Sequence, residues 1–144
     1  MRIYISGPMT GLPNLNKDKF NEMERVIKEL GHEVINPAKL ELPLSCSHDD
    51  YMSIDIPLVS LSDAICMLEG WENSEGAKEE YMHACHIGNE VVSEKEVRVC
   101  AAMVGKLKRH YEAIDGGYSV RDITEVILNT DMLRIMGVLR RNEA

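Results

Sequence analysis

The segment Asp63–Leu68, which reads D-A-I-C-M-L, is an almost continuous apolar run. Such a strand is typical of a parallel sheet that helices cover on both faces. Three further short strands are predicted, with helical segments between them: Arg2–Ser6, Glu33–Asn36 and Val91–Ser93. Strands that alternate with helices indicate βαβ units. The sequence therefore predicts an α/β fold with an open parallel sheet of about four to five strands flanked by helices, of flavodoxin-like or Rossmann-like type.

Three helical segments lie between these strands. The first, Asn16–Leu30, has an apolar face and is followed by Gly31, and the third, Glu75–Ile87, is followed by Gly88. Glycine at this position is a common helix end. The second segment, around Asp50–Leu61, contains Pro57, so we expect it to kink or restart there.

Residues 94–144 are predicted to form a helical extension to an α/β domain of residues 1–93. A stripe of apolar residues with heptad-like spacing runs along its first helix: Val97, Cys100, Val104, Leu107, Tyr111 and Ile114. Two shorter helical segments follow, at about Val120–Leu128 and Asp131–Leu139. The extension either packs back on the sheet or joins copies of the chain into a homo-oligomer, and periodicity alone does not separate these alternatives.

Charge and hydropathy narrow the classes of partner. The net charge is −8, and the excess of acidic residues is concentrated in residues 1–93. This argues against DNA or RNA as a ligand and favours a small molecule. No apolar run approaches the roughly 18 residues of a membrane span. The N-terminus reads directly as a strand rather than as a signal peptide, so we expect a cytoplasmic protein.

The cysteine and histidine spacing gives no metal site. The four cysteines, Cys46, Cys66, Cys85 and Cys100, show no C-x-x-C pattern and are expected to be free thiols in a reducing compartment. His83 and His86 are three residues apart on a helix, but no third ligand converges with them. We expect no metal and no cofactor.

Glu80 is the strongest candidate for chemistry. At about 100° per residue, it falls on the same helix face as Gly76, Ala77, Ala84 and Ile87. A carboxylate that points inward among small residues is costly unless it is paired or used, which makes Glu80 a candidate nucleophile or acid/base. Alternatively, it lies at the edge of the core face and reaches solvent or a salt-bridge partner.

Three segments are expected at the carboxyl ends of the strands, where open α/β sheets bind ligands. They are the loop Gly7–Asn14, the segment that holds Asp55, and Gly70–Ser74. Ser74 is also a candidate N-cap for the helix of Glu80. Trp71 stacks on a ligand, forms part of a lid or serves as a partly buried anchor.

Three motifs in this order resemble the nucleoside 2-deoxyribosyltransferase-like superfamily, in particular its small, uncharacterised, often phage-encoded branch. They read Y-I-S-G-P-M-T-G (Tyr4–Gly11), D-I-P-L-V-S-L-S-D-A (Asp55–Ala64) and G-W-E-N-S-E-G-A-K-E-E (Gly70–Glu80). This superfamily includes nucleoside deoxyribosyltransferases and 5′-monophosphate N-glycosidases. The resemblance covers residues 1 to about 93, and the superfamily's members are commonly dimers or larger.

The resemblance implies a role for each matching residue. Glu80 would attack the anomeric carbon of the sugar, Tyr4 would hold this nucleophile in place, and Asp55 would meet the nucleobase. Ser74 would contact the sugar or its 5′ substituent. The first loop carries no basic residue, so Ser74 and backbone N–H groups would have to recognise a 5′-phosphate. The expected substrate-binding residues are Ser74, Gly7, Met9, Thr10, Gly11, Trp71 and Gly76.

The sequence thus favours an enzyme that cleaves or exchanges the N-glycosidic bond of a nucleoside or nucleotide. One alternative is a catalytically silent protein that binds a nucleotide in order to sequester or sense it. Another is an interaction protein whose helical C-terminal part is the active element.

Overall fold

A computed structural model of the chain describes residues 1–112, and its centre is a single sheet. The four strands run parallel in the order β2-β1-β3-β4. Their bounds are Arg2–Ser6 (β1), Glu33–Ile35 (β2), Ala64–Met67 (β3) and Glu90–Ser93 (β4). The predicted open parallel α/β sheet is confirmed.

Helices cover both faces of this sheet. They are Lys17–Glu29 (α1), His48–Ser60 (α2), Glu75–Ile87 (α3) and Glu94–Glu112 (α4). Short 3₁₀ turns lie at Pro13–Asn16, Pro37–Lys39 and Trp71–Asn73. The helix α3 has the bounds that the sequence predicts. The helix α2 begins two residues earlier than predicted and runs without a break through Pro57.

The two faces of the sheet carry two separate cores. Ile3 and Ile5 of β1 pack with α1 and α4 in one core. Tyr4, between them, packs with residues of α2 and α3 in the other. Because successive side chains of a strand point to opposite faces, a central strand must supply apolar groups to both. All four residues of β3 are buried, which explains the continuous apolar run of the sequence.

The start of α4 belongs to the first of these cores. Val97, Cys100 and Val104 are buried and pack with residues of α1 and the sheet, whereas Leu107 is 39% exposed. This part of the apolar stripe therefore packs back on the sheet, as one of the two predicted alternatives states. The side chains of Tyr111 and Ile114, and the helical segments predicted beyond them, lie outside the described residues.

None of the helices described in residues 1–112 is long and apolar enough to cross a membrane.

Gly7 marks a close approach between two strand ends at the carboxyl edge of the sheet. It follows β1, and a Cβ built at this position would lie 2.7 Å from the Cβ of Leu68, which follows β3. The N–H of Leu68 donates to the carbonyl of Ser6 over 2.8 Å. This hydrogen bond holds the ends of β1 and β3 together. The absence of a side chain at Gly7 is thus a packing requirement.

We expect Gly7→Ala to destabilise the fold by roughly 1–3 kcal/mol, the usual cost of overpacking. Gly105 is the matched control, because a Cβ there would meet only the end of the Arg109 side chain, at 3.5 Å. Alanine should gain up to about 1 kcal/mol at that helical position. Urea unfolding of the two variants measures both effects, and an unchanged midpoint for Gly7→Ala would contradict this account of the strand ends.

Candidate active site

Glu80 lies on the face of α3 that packs against the sheet. It is 6% exposed, and its neighbours on this face, Ala77 and Ala84, are 2% and 0% exposed. The helix is oriented by its N-cap, where the Ser74 side chain accepts a hydrogen bond from the N–H of Ala77 over 3.3 Å. The small residues on either side let the helix approach the strands closely. The carboxyl group of Glu80 is therefore held against β1 and does not reach out to solvent.

Two hydroxyl groups of β1 bind the Glu80 carboxylate. Tyr4 Oη donates to Glu80 Oε1 over 2.7 Å, and Ser6 Oγ donates to Glu80 Oε2. Both donors are fully buried. They are two residues apart on one strand, so they point to the same face of the sheet. Each carboxylate oxygen thus has its own protein donor.

Ser6 was not among the residues predicted from the sequence. The signal was present, because Ser6 shares the strand face of Tyr4 and ends β1 at the ligand-binding edge of a parallel sheet. A serine within the S-G-P-M motif reads equally well as a turn residue. Only the position of α3 above β1 shows that its hydroxyl meets a carboxylate.

Asp55 lies on α2 beside the same phenol. It is 9% exposed, and its Oδ1 atom is buried without a hydrogen-bond partner in the part of the chain that the structure describes. Tyr4 cannot satisfy it while its single proton is directed to Glu80. A buried polar atom without a partner is rare and costly. The structure thus brings Glu80, Tyr4 and Asp55 together and leaves one acceptor open.

Burial shifts the titration of all three groups. It raises the pKa of Glu80 to about 7, although the hydrogen bonds from Ser6 and Tyr4 act in the opposite direction. It raises the pKa of Asp55 to about 6, against a smaller lowering by Tyr4. Burial and the two carboxyl groups raise the pKa of Tyr4 well above its ordinary value. The phenol therefore stays a donor, while both acids titrate closer to neutral pH than an exposed carboxyl group does.

The first loop contributes less to this cluster than the sequence suggests. Met9 packs against the core of α1 and α4, on the other face of the sheet from Glu80. Thr10 and Gly11 are exposed, and Gly11 has a φ of 81°, which suits glycine in a turn. Gly7 is accounted for by its contact with Leu68. Among the described residues, the hydrogen bonds to the Glu80 carboxylate come from Tyr4 and Ser6, and the predicted contacts of these four loop residues with a substrate stay predictions.

The segment Gly70–Ser74 packs on the core that α2 and α3 form with the sheet. The ring of Trp71 lies 4.7 Å from that of Tyr81 between centroids and packs against this core. This is the arrangement of a partly buried anchor, and the predicted stacking on a ligand stays a prediction. A Cβ built at Gly76 would lie 3.4 Å from Met52 Sδ and 3.5 Å from His48 Cε1. Gly76 therefore faces α2, and Ser74 has the capping role described above.

One open groove of the described surface lies away from this cluster. It has a volume of about 640 Å³, and charged residues of α1 and Lys39 line most of it; no predicted site residue does. By contrast, the cluster around Glu80 is nearly closed. Within residues 1–112, no group of histidine, cysteine and acidic residues is arranged to hold a metal ion.

The raised pKa of Glu80 predicts a stability change with pH. Its pKa of about 7, against an ordinary 4.5, means that the folded chain binds this proton more tightly. This contribution to stability is complete below about pH 4.5 and is lost as the pH rises through about 7. The Glu80→Gln side chain stays neutral at every pH. Between pH 5 and pH 8, we therefore expect its free energy of unfolding to rise by about 2 kcal/mol relative to that of the wild type.

Chemical unfolding at both pH values measures this gain. The exposed Glu72 supplies the control, and we expect Glu72→Gln to follow the wild type at each pH. A gain that is equal in the two variants would show that the buried carboxyl group is not its source.

Comparison with known proteins identifies the family of the chain but not its activity. A search of curated proteins found no match. A family model described as a domain of unknown function, DUF4406, matches residues 1–93. This match ends with the last residue of β4, so it includes the whole sheet together with Tyr4, Ser6, Asp55 and Glu80. The chain belongs to the DUF4406 family.

Proposed function

We propose that this protein cleaves or exchanges the N-glycosidic bond of a nucleoside or nucleotide, with Glu80 as the nucleophile. One observation carries the proposal: a buried carboxylate is held through both oxygens by Tyr4 and Ser6. Beside it lies a second buried acid, Asp55, with an acceptor that has no partner within residues 1–112. The motif resemblance to the nucleoside 2-deoxyribosyltransferase-like superfamily supports the same chemistry. We propose that this DUF4406 chain is a relative of that superfamily.

The first step uses both acids. A carboxylate oxygen of Glu80 bonds to the anomeric carbon as the bond from this carbon to the base nitrogen breaks, and the electron pair of that bond stays on the base. Protonated Asp55 gives its proton to the departing base. Positive charge that develops on the sugar in between is stabilised by the adjacent carboxylate.

The second step releases the sugar. Asp55, now ionised, accepts a proton from water or from an acceptor base, whose oxygen or nitrogen bonds to the anomeric carbon. The bond to Glu80 breaks, and its electron pair returns to the carboxylate. Hydrolysis requires a water molecule at this position, whereas transfer requires that water be excluded.

The protonation states demanded by this mechanism oppose the resting ones. The mechanism needs ionised Glu80 and protonated Asp55, whereas the pKa of Glu80 is about 7 and that of Asp55 about 6. The arrangement of the single proton that the mechanism needs is therefore the less populated of the two. Reversed protonation of this kind still supports catalysis, because every turnover draws on the minor form.

A bell-shaped pH dependence of kcat/KM follows from these pKa values. We expect the rate to rise with pH as Glu80 and Asp55 together lose a first proton, and to fall as they lose the second. The maximum should lie between about pH 6 and pH 7. Initial rates of base release between pH 4.5 and pH 9 give the profile, and a rate that still increases above pH 8 would contradict the role of Asp55 as the acid.

Removing the nucleophile should abolish turnover and leave the fold intact. We expect Glu80→Gln to lower the release of free base at least about 10³-fold, because a neutral amide cannot form the glycosyl intermediate. Glu79→Gln is the control, since Glu79 is the next residue on the same helix and binds His48 at the surface. A panel of nucleosides and nucleotides, analysed by chromatography for free base, measures both variants. A wild-type rate in Glu80→Gln would end the proposal.

The near closure of the cluster also favours a second candidate, a silent protein that binds a nucleotide. Glu80 is 6% exposed and Tyr4 is fully buried, so a bound sugar has little room to react without movement of the surrounding loops. This candidate predicts tight nucleotide binding by calorimetry and no free base after prolonged incubation. With either candidate we propose a small-molecule partner, a homo-oligomer and a cytoplasmic location.

A further inference from the structure

Ser6 contributes a function that neither the motif resemblance nor the sequence pattern assigns to it. We infer that Ser6 is a positioning residue for the proposed reaction, whose hydroxyl group fixes the orientation of the Glu80 carboxylate and favours its ionised form. The inference rests on the proposed function for its catalytic meaning. The hydrogen bond from the Ser6 hydroxyl to Glu80 Oε2 is given by the geometry and does not depend on that function.

The donor is fixed in place by the sheet. Ser6 is the last residue of β1, is fully buried and pairs in register with Met67 of β3. Its carbonyl accepts the N–H of Leu68 over 2.8 Å, and the missing side chain of Gly7 lets these two strand ends approach. Because the backbone is held by these contacts with β3 and Leu68, the Ser6 hydroxyl starts from a fixed position close to the Glu80 carboxylate.

Two donors on two different oxygens define the carboxylate plane. Tyr4 binds Glu80 Oε1 and Ser6 binds Glu80 Oε2, so rotation about the last side-chain bond would break both hydrogen bonds. Hydrogen bonds to a charged acceptor are stronger than those to a neutral one. The two hydroxyls therefore favour the ionised form that a nucleophile needs, against the burial that disfavours it.

The two donors differ in what else they touch. The Tyr4 phenol also interacts with Asp55, whose pKa it lowers, so its removal changes both acids. Ser6 acts on Glu80, and the pKa of Asp55 responds to burial and to Tyr4. Ser6 therefore lowers the pKa of Glu80 without acting directly on Asp55.

The test is Ser6→Ala in the full chain, with two readouts. One is the titration of the Glu80 carboxyl carbon by NMR in the absence of substrate, and the other is the pH profile of base release. We expect the Glu80 titration to move up by roughly one unit, the worth of a hydrogen bond to a charged group. We expect kcat at the optimum to fall about tenfold or more, with a smaller change in KM.

Two further variants separate positioning from packing. Ser6→Thr keeps the hydroxyl and should restore most of the titration midpoint. Ser62→Ala removes a buried hydroxyl that donates only to the carbonyl of Leu58, and it should leave both readouts unchanged. An equal loss in Ser62→Ala and Ser6→Ala would overturn the inference, as would an unmoved Glu80 titration in Ser6→Ala.

If no variant and no wild-type sample releases base, yet Ser6→Ala alone moves the Glu80 titration, the proposed function fails and the hold of Ser6 on Glu80 is supported. If the wild type turns over but Ser6→Ala moves neither the titration nor the profile, the inference fails and the proposed function is unaffected.

Discussion

The alternation of side chains along β1 is the constraint on which the rest of the structure depends. Ile3 and Ile5 enter the core of α1 and α4, while Tyr4 and Ser6 point to α2 and α3. One strand thus builds an apolar core on one face and a polar clamp on the other. A shift of one residue in register would exchange the two sets, placing the hydroxyls in the apolar core and the isoleucines against Glu80.

The clamp explains how a carboxylate is tolerated inside the fold. Burial alone would favour the neutral acid, and the pKa of Glu80 does rise to about 7. The hydroxyls of Tyr4 and Ser6 offset part of this cost, because each gives a hydrogen bond to one oxygen. Asp55 adds a further cost of burial, because its Oδ1 has no hydrogen-bond partner in the described part of the chain. Unsatisfied groups of this kind are expected at sites that gain their last partner from a ligand.

Other polar clusters of the chain show the contrast. Glu24 is also buried, but Lys28, Lys39 and Asn36 all bind it, and its pKa is lowered to about 2. Glu94, at the start of α4, is held by Lys19 and Arg98. Both carboxylates are neutralised by cations and join elements of the fold. By contrast, no cation binds Glu80 or Asp55 in the described part of the chain, and under the proposed function these two acids are the pair that moves a proton.

Pattern along the chain was sufficient for the elements and for part of the site. The apolar run at Asp63–Leu68, the glycines that follow the helices and the spacing around Glu80 gave the parallel sheet, the bounds of α3 and the inward direction of its carboxylate, since these depend on local periodicity. The match of residues 1–93 to a family of unknown function adds membership and leaves the activity as a proposal.

Tertiary structure decided the rest. Ser6 binds the Glu80 carboxylate, and Met9 packs in the opposite core. Trp71 lies against Tyr81, and Asp55 keeps an acceptor without a partner in the described residues. Each of these depends on which elements meet across the sheet, and residues such as Ser6 and Glu80, separated by 74 positions, meet only when α3 packs on β1.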